Sequence, residues 1–130
     1  MVDPINLTDV ASYVLNLIEQ NKLDEAANYL RGLHPADSAE IITNLDSDEQ
    51  AAVVERFDAP ELAQVFSQMH EDDMLDVAQH LDKEALAEVL DEMEPDTAAD
   101  LLGELEPQEA AELLEQMDES APVVSLMAYD

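Results

Sequence analysis

The sequence predicts an all-α fold, a right-handed superhelical stack or α-solenoid of about ten short helices with a twelve-residue repeat. Three observations predict it. An apolar residue returns every twelve positions without a slip, helix-start signals recur at one place in each unit, and each unit is too short to be stable without neighbours.

The register is carried by Leu33, Leu45, Phe57, Met69, Leu81, Met93, Leu105 and Met117. With these as position zero, position six holds Ala39, Ala51, Ala63, Leu75, Ala87, Ala99 and Ala111, and position eight holds Ile41, Val53, Val65, Val77, Val89, Leu101 and Leu113. Position nine is apolar throughout. Offsets five, nine and twelve recur as i, i+4 and i+7, the buried stripe of an amphipathic helix. On this reading position zero is a packed seam, and Leu81→Asp is expected to abolish folding by placing an unpaired charge in it.

Position one is an N-cap type in Asp46, Asp58, Asp82 and Asp118, and Pro35, Pro95 and Pro107 stand at position two, where a missing N–H costs nothing. Position four is acidic in Asp37, Glu49, Glu61, Asp73 and Glu109, which suits partial capping boxes and the positive helix end. A helix of about nine residues is only about 14 Å long and marginal in isolation. Each unit therefore has to bury its stripe on the units before and after it. Residues 1–32 precede the array; Thr8 to Gln20 and Leu23 to Arg31 read as capping helices. The repeats run over 33–124, and 125–130 reads as the start of a linker to a further domain.

Composition narrows the function. Among 130 residues, thirty-three Asp and Glu oppose four Lys and Arg, for a formal net charge of -29. Nucleic acid and anionic lipid are repelled; cations, basic protein surfaces and water remain. From Glu71 to Glu119 nineteen acids face the single Lys83. With no cysteine, disulfides, thiolate catalysis and thiolate-held zinc are excluded. No apolar run reaches the length of a membrane span and the start lacks a secretion signal, so this segment is expected to be soluble and cytosolic. No Ser-His-Asp spacing, Gly-rich phosphate loop or EF-hand loop is present, and the expectation is a non-enzyme. His34, His70 and His80 fall at different repeat positions, and Met69, Met93 and Met117 read as core fillers in place of Leu and Phe.

Most acids are a solvated face. Positions three and seven differ, because three successive units carry pairs there: Asp72 with Asp76, Glu84 with Glu88, and Asp96 with Asp100. Residues at i and i+4 share one helix face about 5–6 Å apart, and like charges there repel by a few tenths of a kcal/mol. Stacked pairs would form a ladder that a divalent hard cation relieves. Magnesium keeps several waters and takes one or two carboxylates from protein, so a pair suits half of a bridge to another domain.

The segments LHPADSAEIITNL, LDKEALAEVLDEM and MEPDTAADLLGEL, with the closing SLMAYD, resemble the N-terminal cytosolic domain of MgtE-type magnesium transporters and channels over residues 33 to 130. The resemblance implies a superhelical domain of an inner (plasma) membrane protein, followed by paired CBS domains and a homodimeric membrane pore. It implies weak Mg2+ binding between this domain and the CBS domains, closing the pore when the ion is plentiful. The matching interface carboxylates fall on Asp96 and Asp100, and a further interface acid of some relatives falls on Gln64. A second reading is an acidic helical-repeat scaffold for a basic protein partner, with acidity reflecting halophilic adaptation.

Overall fold

The computed structural model describes residues 7–118 and 120–127. They form ten helices with no strand among them: α1 Leu7–Glu19, α2 Leu23–Arg31, α3 Pro35–Asn44, α4 Ser47–Val54, α5 Ala59–Phe66, α6 Glu71–Ala78, α7 Lys83–Glu92, α8 Pro95–Gly103, α9 Pro107–Gln116 and α10 Ser120–Met127. The all-α solenoid expected from the period is the fold observed. α10 carries the helical array to Met127, and residues 128–130 of the expected linker lie outside the described residues.

Helix starts follow the recurring signals. Pro35, Pro95 and Pro107 are the first residues of α3, α8 and α9. Asp46 and Glu49 form a full capping box: the Asp46 carboxylate accepts from the Glu49 N–H at 2.9 Å, and Glu49 accepts from the Asp46 N–H at 3.0 Å. Glu61 accepts from the Asp58 N–H at 3.0 Å, and Asp82 accepts from the Ala85 N–H at 2.8 Å. His34 takes the same role for α3, its Nδ1 accepting from the Ala36 N–H at 3.1 Å.

Helix ends repeat as closely. The N–H of Leu33, Leu45, Phe57, Met69, Leu81, Met93 and Leu105 each donates to the position-nine carbonyl three residues earlier, at 3.0–3.2 Å. This tight turn satisfies a carbonyl that the helix leaves open. It needs no left-handed residue, so two glycines suffice for so many helix ends. The described residue with positive φ is Asn21, at 62°. It closes α1 with a Schellman pair, Lys22 N–H to Leu17 carbonyl at 2.8 Å and Asn21 N–H to Ile18 carbonyl at 2.9 Å.

Packing departs from the nearest-neighbour stack that the period suggests. α1, α3, α5, α7 and α9 pack in sequence as one row, and α2, α4, α6, α8 and α10 as another. Each helix thus rests on the next but one as well as on adjacent helices such as α1 on α2 and α7 on α8. The structural repeat is two units, twenty-four residues.

Burial records this doubling. Position eight is buried in every unit from Ile41 to Leu113. Position six alternates: Ala39, Ala63 and Ala87 of the odd row are buried, whereas Ala51, Leu75 and Ala99 of the even row are half-buried. Ala111 is exposed, because α9 ends its row among the described helices. At position zero, Leu45, Met93 and Met117, which precede even helices, are buried, while Leu33, Phe57, Leu81 and Leu105, which precede odd helices, are half-buried; Met69, before α6, is half-buried too and departs from the alternation. Leu81 borders a surface groove, so Leu81→Asp leaves its carboxylate a path to water and is destabilising rather than abolishing.

Position five is buried too, and in two units it is polar. Ser38 Oγ donates to the Leu30 carbonyl, and Gln50 Nε2 to the Ile42 carbonyl at 2.9 Å, each eight residues back in the last turn of the preceding helix. Gln50 Oε1 lies 3.1 Å from His80 Nε2, tying α4 to the end of α6. No buried side-chain polar atom among the described residues lacks a partner.

Candidate metal centre

α8 positions its two aspartates by its own stripe. Ala98, Leu101 and Leu102 are buried, which turns Asp96 and Asp100, one turn apart, toward solvent. Asp96 lies in the first turn, where the positive helix end favours its charge, and its Oδ1 accepts from the Thr97 N–H at 3.0 Å. Asp100 sits beyond that turn. Among the described residues it has no hydrogen bond or ion pair, and it is exposed.

The six ladder carboxylates are all exposed, yet they do not form one ladder. α6 and α8 share a row, so Asp72, Asp76, Asp96 and Asp100 belong to neighbouring helices, while α7 carries Glu84 and Glu88 in the opposite row between α5 and α9. Two-row packing separates what the linear repeat places in series. The like-charge argument holds within each pair.

No group of three or more His, Cys, Asp or Glu that could hold a metal ion exists among the described residues. What α8 presents is two exposed carboxylates one turn apart, and oxygen donors of this kind are the ones magnesium takes. Two of the three histidines take other work: His34 caps α3 and His80 holds Gln50. Gln64, on α5, is exposed and brings no carboxylate.

Three of the four basic residues are engaged elsewhere. Arg31 pairs with Glu61 at 3.1 Å, Arg56 with Asp24 at 2.8 Å and with Glu55 at 3.1 Å, and Lys83 with Glu112. None of these pairs includes Asp96 or Asp100. The sequence reading missed the Gln50–His80 link; its signal was polarity at position five in only two units.

The fold matches a solved structure described as the soluble part of a magnesium transporter, with a TM-score of 0.85 over 96% of this chain at 22% identity. This chain spans 50% of that one. At that identity the likeness shows the fold. Comparison with curated proteins gives no match by sequence. No described helix is long and apolar enough to cross a membrane. A family model described as the MgtE intracellular N domain matches residues 33–130, three quarters of the sequence and all of its repeats, and the chain belongs to that family.

Proposed function

We propose that this chain is the magnesium-sensing regulatory domain of an MgtE-type Mg2+ transporter or channel. Asp96 and Asp100 supply one half of a bridge, and a neighbouring CBS domain of the full-length homodimer supplies the other. The observation that carries this reading is the exposed carboxylate pair on α8, which has no basic partner and no third protein ligand among the described residues.

Such a pair holds magnesium weakly, because most of the ion's coordination stays with water. Weak binding suits a sensor of abundant ion. When a second domain closes on the same hydrated ion, the compact arrangement gains ligands that the splayed one lacks. A ligand shifts an equilibrium only by its differential affinity for the two states, so the bridge is the part that does the switching. The compact arrangement then holds the pore closed. The domain itself carries out no reaction.

The test is the full-length protein with Asp96→Ala and Asp100→Ala together. The fold should be intact by circular dichroism, while the Mg2+ concentration that protects the cytosolic part from protease and closes the pore should rise several-fold. Unchanged protection and gating in this variant, together with a shift in Asp72→Ala, Asp76→Ala, would move the sensing site to α6 and defeat the assignment.

A further inference from the structure

A second feature lies in the odd row, apart from the α8 aspartates. Between α5 and α7 the surface opens into a groove of about 280 Å³. Val54, Leu62 and Val89 lie buried beneath it, and the apolar surface it offers is that of the half-buried Phe57, Leu81 and Ala85. Three carboxylates, Glu55, Asp82 and Glu88, and the ring of His80 stand at the same opening, and no Lys or Arg lines it. The volume is at the lower end for small-molecule pockets and suits one long side chain.

We propose that this groove docks a basic side chain of a protein partner, an arginine or lysine flanked by apolar residues. The aliphatic stem of such a side chain lies along Phe57 and Leu81, while its charged head reaches the carboxylates. The three acids are not equivalent. Glu55 is engaged with Arg56 at 3.1 Å, and Asp82 caps α7 through the Ala85 N–H at 2.8 Å. Glu88 has no hydrogen bond or ion pair among the described residues, and so is the acceptor to which the incoming cation is a first partner. Arginine is favoured over lysine, because its planar fork can engage two carboxylates and stack on the Phe57 ring.

The complementarity is of two kinds at once, the apolar walls of Phe57 and Leu81 and an acidic rim. A small hydrated ion uses only the second. A partner with charge but no apolar flank is held by the general field of a chain of net charge -29, which salt screens. The groove therefore discriminates by the stem and the flanking residues, and its occupancy is independent of the magnesium reading for α8.

The experiment is a titration of the 130-residue chain, followed by amide chemical shifts at fixed ionic strength. Three peptides serve as probes: acetyl-Gly-Leu-Arg-Leu-Gly-amide, the same peptide with citrulline for arginine, and acetyl-Gly-Gly-Arg-Gly-Gly-amide. Saturable shifts are expected at Phe57, Leu81, Ala85 and Glu88 with the first peptide, and at least fivefold weaker binding with each of the other two. Glu88→Gln should weaken the first peptide at least fivefold, and Ala85→Leu, which fills the groove, should abolish its binding. Neither variant should alter the response of the Asp96 and Asp100 amides to Mg2+. Equal binding of all three peptides, shifts spread over the whole acidic surface, or binding unchanged in both variants would overturn the proposal. A loss of the Mg2+ response alone would bear on the α8 site and leave the groove standing.

Discussion

The first five helices and the last five are built on the same repeat but handle charge in opposite ways. Three of the four basic residues, Lys22, Arg31 and Arg56, lie in the first half. Arg31 and Arg56 bind α2 to its neighbours through Glu61 and Asp24. There too stand the buried polar links of Ser38 to Leu30 and of Gln50 to Ile42, and from Gln50 a further link crosses to His80 in the second half. The second half has Lys83 paired with Glu112, an Asp118 N–H donated to Asp91 at 3.0 Å, and otherwise an apolar stripe beneath an acidic skin. The difference teaches that one repeat can carry two tasks. In the first half polar side chains also reach backbone carbonyls inside the core, whereas in the second half the described links lie at the surface and most carboxylates face solvent.

If the second half relies on its stripe alone, a charge in that stripe should have the largest effect. Leu101, only 1% exposed, lies in the row buried in every unit. Leu101→Ala should cost about 2–5 kcal/mol, and Leu101→Asp should leave the second half unfolded at moderate temperature. Leu81→Asp, beside the groove, should stay folded with a lowered melting temperature. Circular dichroism and amide exchange separate the two. Equal loss of structure in both variants would mean that position zero is as buried as position eight.

The first half's polar links are the next test. Gln50→Ala leaves the half-buried His80 ring without its partner and opens a small void, and should cost about 1–3 kcal/mol. Gln50→Leu restores the volume that Leu62 and Leu86 occupy at the same repeat position, and should cost less. A double-mutant cycle of Gln50→Leu with His80→Leu should show a coupling of about 0.5–1.5 kcal/mol. No coupling would mean that the link adds nothing to the junction of α4 and α6.

Smaller still is the expected response to ions. Repulsion among uncompensated carboxylates weakens the compact state, and screening relieves it. Added salt should raise the melting temperature by a few degrees, with amide protection rising more in α6–α10 than in α1–α5. Magnesium should exceed a monovalent salt of matched ionic strength if the α8 pair collects divalent ions. Identical curves in the two salts would remove divalent binding by this chain and leave hydration of an acidic surface as the account of its charge. A uniform gain along the chain would break the contrast between halves.

Much of the fold was legible along the chain because local signals agree. Pro35, Pro95 and Pro107 open helices where a proline costs least, Asp46 and Asp82 cap where capping residues belong, and position eight is apolar in every unit and buried in every unit. The candidate pair was legible for the same reason, since an i, i+4 relation within one helix depends on helical geometry alone. The groove was not, for its lining comes from the segments that lead into α5 and α7 and from those helices, with α6 between them in sequence. Phe57 and Leu81 meet there only because their helices share a row.

The linear pattern by itself determined the helices, their number of turns, their starts and the side each buries, because all of these arise within twelve residues. It could not determine which helix lies on which. A strict period of twelve is compatible with a single stack or with two alternating rows, since each unit carries nearly the same stripe. Tertiary structure chose the two rows and so doubled the true repeat to twenty-four. That choice buries Ala63 and Ala87 but leaves Ala51 and Ala99 half-covered, and sets Glu84 and Glu88 apart from Asp96 and Asp100. The physical reason is that the tight turn after each helix swings the next one aside, and its apolar face is covered best by the helix two units along.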